Sequence, residues 1–141
     1  MRYFIQFSYD GRNYHGWQVQ PNAHSVQAEI NHALSTILRQ EIVTTGAGRT
    51  DAGVSAKMMW AHFDYTCEID GVQLSYKLNR FLPEDIAIQR IVLVADDAHA
   101  RFDATARTYH YFIYQDKNPF YRDFATRFNG PIDFDLMNKA A

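Results

Sequence analysis

A single cysteine, Cys67, stands among 141 residues, so the chain can close no internal disulfide and offers no cysteine pair of the kind that holds zinc. Nowhere do apolar residues run on for the roughly 20 positions a membrane helix needs. The opening stretch is broken by Gln6 and Ser8, unlike a secretory leader, so the plain expectation is a cytoplasmic protein without a membrane anchor. Excess charge is missing as well. Fourteen basic and 16 acidic residues leave a net charge of −2, which gives no global footprint for nucleic acid. The six histidines include no pair at helical spacing around a glutamate and no cysteine–histidine zinc pattern, so no metal site is expected. A Gly-x-Ser-x-Gly elbow is absent. Cys67 is followed by Glu68 and Asp70, an acidic setting that gives no reason for a reactive thiolate.

Apolar and aromatic residues are plentiful. At 47% hydrophobic, with 10 Phe and 9 Tyr, the chain can fill the core of one compact domain spanning residues 1–141. Tyr3, Ile5, Phe7 and Tyr9 alternate with polar neighbours, as in a strand with one buried face. Asp10-Gly11 supplies a turn, and residues 12–24 read as a loop. Ser25 is a suitable N-cap for a helix whose buried face is Val26, Ile30, Ala33, Leu34 and Ile37. Residues 42–45 predict a short strand, 58–65 another, and 74–81 a helix stopped by Pro83. Residues 86–94 and 107–114 predict two more strands, the second aromatic on both faces, with one face or both expected to be covered. Residues 133–141 open like a helix and then end, so the chain reads as cut short. This order predicts an α+β fold with helices packed on one face of a mainly antiparallel sheet.

Two constellations stand out. The first is the loop Gly46-Ala47-Gly48-Arg49-Thr50-Asp51-Ala52-Gly53, whose glycines suit tight turns and positive φ. It lacks the Gly-Lys-Ser/Thr ending of a phosphate-binding loop, and Asp51 stands where a dinucleotide fingerprint needs its third glycine. A carboxylate on such a loop suits a nucleophile or base, although the same pattern is met more often in an ordinary turn with a surface ion pair. The second is Arg107 with Tyr109, two residues apart on one face of the aromatic strand. A tyrosine beside an arginine can stack on an unpaired base while the cation holds phosphate, although a core tyrosine is the commoner outcome.

The run Gly48-Arg49-Thr50-Asp51-Ala52-Gly53-Val54 resembles the catalytic motif of the TruA family of tRNA pseudouridine synthases. Other segments match in order: Tyr9-Asp10-Gly11 with Gly16-Trp17-Gln18, Val26-Gln27, Leu78-Asn79 with Leu82-Pro83, Ala100-Arg101-Phe102, and the stretch from Ala104 to Tyr111. Ser55 departs from the histidine often found after the motif's valine. The resemblance implies a ferredoxin-like, pseudouridine synthase N-terminal half, with a second, similar domain absent from this chain. It implies Asp51 as the catalytic carboxylate, Tyr109 against the target base, and Arg49 and Arg107 as substrate-binding residues. Implied too are an anticodon-arm tRNA substrate modified at positions 38 to 40, no cofactor, and a homodimer in the full-length form. Two rival expectations are a catalytically incomplete RNA-binding fragment and a small α+β domain with an incidental glycine-rich turn.

Overall fold

The computed structural model describes residues 1–140, in two compact units, Met1–Ala106 and the stretch from Arg107 onward. The first unit contains β1 (Arg2–Tyr9), α1 (Val26–Leu38), β2 (Thr45–Gly46), β3 (Ala56–Asp64), α2 (Gly71–Phe81) and β4 (Ile86–Val94), with a one-turn 3₁₀ helix at Gly11–Asn13. The four strands form one antiparallel sheet in the order β2-β3-β1-β4, the split βαβ arrangement expected of an α+β fold.

Period-2 alternation sets the core. Tyr3, Ile5, Phe7 and Tyr9 of β1 are buried, as are Val26, Ile30, Ala33 and Leu34 of α1 and Leu74 and Leu78 of α2. In β4 the buried residues are Ile86, Ile88 and Ile91, and the change of parity coincides with a register shift against β1 between Gln6 and Phe7. Asn79 of α2 serves that irregular point, donating through Nδ2 to Ile88 O (2.8 Å) and accepting from Ile88 N at Oδ1 (2.7 Å). The caps follow the sequence. Ser25 Oγ accepts from Ala28 N (3.3 Å), and α2 begins at Gly71, three residues before the expected start, because Asp70 caps Val72 N and Gln73 N.

Residues 42–45 do not form the expected strand; only Thr45 and Gly46 pair, opposite His62 and Ala61. A stripe of polar side chains on α1 takes the backbone instead. Ser35 Oγ accepts from Ile42 N (2.8 Å), Asn31 Oδ1 accepts from Thr44 N (3.0 Å), and Gln27 Nε2 donates to Thr44 O (2.6 Å).

In the second unit, the expected strand over 107–114 shrinks to β5 (Ile113–Tyr114), which pairs in parallel with β6 (Thr126–Arg127). Alternation marks faces to be covered but does not supply a partner to complete the ladder. Neither face is covered among the described residues: Tyr109, Tyr111, Phe112 and Ile113 are all exposed. A short helix, α3 (Phe134–Ala140), follows, as the sequence predicts. Among the described residues no helix is long and apolar enough to cross a membrane.

Gln27 is buried and also accepts from Val19 N at Oε1 (2.9 Å), so it bridges two loops. Gln27→Met keeps its length but orphans Val19 N and Thr44 O. Urea unfolding should show a loss of about 1–3 kcal/mol from the buried Thr44 O left unpaired, and less from Val19 N, which lies on an exposed residue. A loss within error of zero would show that water replaces both bonds.

Candidate active site

The glycine-framed loop leaves the sheet at Gly46, where β2 lies against β3, and Ala47 N donates to Trp60 O (2.7 Å). It rejoins the sheet at Ala56. Between these anchors it is clasped by residues 9–17, the stretch after β1. Trp17 N donates to Thr50 O (3.2 Å), Gly53 N donates to Tyr14 O (3.1 Å), and Tyr9 Oη and Thr50 Oγ1 share a hydrogen bond (2.8 Å). Gly11 N donates to Ser55 Oγ (3.0 Å), and Val54 N donates back to Asp51 O (3.2 Å). Asp51 is thus held by backbone bonds on both sides.

Two glycines make that approach possible. Gly16 has φ +81°, and a Cβ there would run into the carbonyl of Thr50. At Gly46, a Cβ would stand 2.5 Å from Trp17 Nε1. The indole lies flat on Phe7, with ring centroids 5.0 Å apart, and is fully buried. Positive φ, expected at Gly46, Gly48 and Gly53, occurs only at Gly53 among these three. Gly46 instead admits the tryptophan.

The clasp is anchored at its far end by Tyr14, whose phenol donates to Asp85 Oδ1 (2.6 Å). Asp10 N donates to Asp85 O (2.9 Å). Burial, and then the Asp85 carboxylate, raise the Tyr14 phenol well above its ordinary range, so it remains a donor at neutral pH. The Tyr14 ring packs on His24 (4.8 Å), and His24 Nε2 meets Glu29 Oε1 at 2.7 Å.

The side chain at the centre is free. Asp51 is exposed, and among the described residues its carboxylate has no hydrogen-bond or ion-pair partner. Arg49 is exposed too and does not pair with it. The ordinary turn closed by a surface ion pair is therefore not what the loop forms. Arg107 and Tyr109 lie in the second unit, exposed and outside any strand. Single-residue patterns could not reveal Tyr14, Gln27 or Asp85, whose roles are to hold backbone; the ordered motifs pointed only to Gln27. Chemically, the first unit presents a solvated carboxylate on a loop held by backbone hydrogen bonds.

Residues 5–103 match the family profile described as tRNA pseudouridine synthase. The tRNA pseudouridine synthase A of Bacteroides thetaiotaomicron is 55% identical over 140 residues, covering 99% of this chain and 52% of that protein. Its counterpart in Bacteroides fragilis is 54% identical, covering 99% and 56%. That of Limosilactobacillus reuteri is 40% identical over 145 residues, covering 99% and 57%. The chain spans about half the length of the curated relatives it matches.

Gly16 and Gly53 share nearly the same φ, but a Cβ on Gly53 would meet open space. Gly53→Ala should therefore cost about 1 kcal/mol of left-handed strain, and Gly16→Ala at least about 2 kcal/mol because it must also displace Thr50. Urea unfolding measures both, and amide shifts of Thr50 to Gly53 should move in Gly16→Ala. Equal costs would show that the clasp yields.

Proposed function

The chain belongs to the tRNA pseudouridine synthase family, and from that premise we propose that it is the N-terminal catalytic domain, residues 1–141, of an isomerase converting uridine to pseudouridine in tRNA. The proposed target is the anticodon arm, at positions 38 to 40. The single observation that supports it best is Asp51: an exposed, unpartnered carboxylate within the family-like run, on a loop seated at Thr50 and Gly53.

The reaction breaks the N1–C1′ bond, turns the freed uracil and joins C5 to C1′. C5 gives up its proton and N1 gains one, so atoms and electrons balance without redox change or net hydrolysis. That chemistry calls for no cofactor. One carboxylate suffices because the base is recaptured, whereas glycosidases need a second to activate water or protonate a departing oxygen. Asp51 either attacks the nucleoside covalently or removes a sugar proton to give a glycal. The target uridine must leave the helical stack, at a cost of a few kcal/mol. Tyr109, 60% exposed, offers a ring for the extruded base and a phenol for the C5 proton. Arg49 fills the gap left in the RNA or holds a phosphate, and Arg107 holds phosphate beside Tyr109. Stem shape and backbone then carry recognition more than base sequence. A cytoplasmic homodimer is the proposed working form of the full-length protein.

Asp51 has no ion-pair partner among the described residues, and the chain spans about half the length of its relatives. Those two facts favour a second reading for the chain by itself: an RNA-binding unit that turns over weakly or not at all. Tritium release from tRNA labelled at uridine C5 tests both. The longest product of the gene should release tritium, and Asp51→Ala and Asp51→Asn should fall to background. Full turnover in either variant would remove Asp51 from the mechanism. Release by the chain alone, at the rate of the longer product, would overturn the second reading.

A further inference from the structure

Asp85, in the turn that leads into β4, holds the stretch after β1 at two points. Its backbone O accepts from Asp10 N (2.9 Å), and its Oδ1 accepts from the Tyr14 phenol (2.6 Å). The turn is closed on itself, since Ile86 N donates to Pro83 O (3.1 Å). Between Asp10 and Tyr14 lies the one-turn 3₁₀ helix, shut by Tyr14 N donating to Gly11 O (3.0 Å). That short piece bears on the loop just beyond Asp51. Gly11 packs so closely that a Cβ there would run into Val54 O, Gly11 N donates to Ser55 Oγ (3.0 Å), and Tyr14 O accepts from Gly53 N (3.1 Å). Gly53 sits at φ +80°, and a Cβ there would meet nothing within 4 Å. No side chain packs on it from that direction, which leaves the Tyr14 carbonyl to hold it.

Tyr14 makes the link. It is buried, its carbonyl meets Gly53, and its phenol meets Asp85. A buried phenol needs a partner for its O–H, and an ionised carboxylate at 2.6 Å is a strong one, because charge shortens and strengthens the bond. We propose that Asp85 is a positioning residue for the isomerisation. Its carboxylate holds the Tyr14 phenol, Tyr14 holds Gly53, and this chain of bonds sets the approach of Asp51, two residues before Gly53. Every member of the chain lies in the first unit. The proposal rests on the functional reading above, in which Asp51 is the reacting carboxylate. Asp85 takes no part in the bond changes; its effect passes through Tyr14. A displacement of about 1 Å at a reacting group can cost about a hundredfold in rate, while contacts that bind the rest of the RNA are untouched. Loosening this link therefore lowers turnover and spares affinity.

The test uses the longest product of the gene, with three substitutions that leave the backbone bond from Asp10 N to Asp85 O in place. Tyr14→Phe keeps the buried ring and removes the O–H. Asp85→Ala removes the acceptor, and Asp85→Asn keeps an amide oxygen in the place of Oδ1. Tyr14→Phe and Asp85→Ala should each lower kcat for tritium release about tenfold or more, with KM for tRNA within about twofold. Combined, they should lose no more than either alone, since both remove the same bond. Asp85→Asn should keep kcat within about threefold. Hydrogen exchange at the Gly53 amide should quicken in Tyr14→Phe and Asp85→Ala and stay slow in Asp85→Asn. Wild-type kcat in Tyr14→Phe or Asp85→Ala, equal damage from Ala and Asn, or losses that multiply in the double variant would overturn the proposal. Full turnover in Asp51→Asn would overturn the functional reading instead, and exchange at Gly53 would still decide whether Asp85 holds the loop.

Discussion

The backbone of residues 14–17 lies directly against the backbone of residues 50–53, and the presentation of Asp51 depends on that approach. It requires a residue without Cβ at position 16, since Thr50 O occupies the space. It requires the Trp17 indole to fill the gap between Phe7 and Gly46, an aromatic burial whose deletion costs on the order of 3–5 kcal/mol. The same segment passes its remaining groups onward. Gly16 O and Trp17 O accept the first amides of α1, from Val26 and Gln27 (3.3 and 3.0 Å), so the clasp also sets where that helix starts. Tyr14 and Asp10 tie it to Asp85 at the head of β4. One short loop thus joins a strand, a helix and the site.

This arrangement explains why the family-like segments lie far apart in sequence yet share one task. Tyr9-Asp10-Gly11 and Gly16-Trp17 form the clasp, and Gln27 spans from Val19 to Thr44 behind it. Asn79 repairs the β4 backbone at its register shift, beyond the turn that carries Asp85. None of these side chains bonds the Asp51 carboxylate among the described residues. They hold the glycine loop at Thr50 and Gly53, the kind of seat a nucleophile would need for its approach geometry to be set before substrate arrives.

Strands and helices that bury one regular face were legible in the sequence: β1, α1 and β4 lie where alternation and helical spacing put them. The boundaries failed where side chains take over backbone bonding. Residues 42–44 look like a strand because Ile42-Val43-Thr44 is β-prone, but Gln27, Asn31 and Ser35 accept or supply the bonds a neighbour strand would have made. Residues 107–112 alternate well and yet form no ladder among the described residues, since pattern records a surface and not its partner. Local pattern alone left Asp51 as a carboxylate on a glycine-framed turn, and only the family-like run around it singled it out. Its carboxylate makes no ion pair with Arg49, a feature that no sequence pattern indicated.

We propose that the clasped loop delivers the Asp51 carboxylate to the nucleoside of an extruded uridine. The most direct measurement is a crystal structure of the longest product of the gene with an anticodon stem-loop bearing a non-reactive uridine analogue at the target position. The account predicts residues 14–17 and 50–53 unchanged in their mutual hydrogen bonds, with an Asp51 carboxylate oxygen about 3–3.5 Å from the nucleoside atom it attacks or deprotonates. A target nucleoside bound in a productive, unstacked pose well beyond that distance from Asp51, or a clasp that has come apart around it, would contradict the claim.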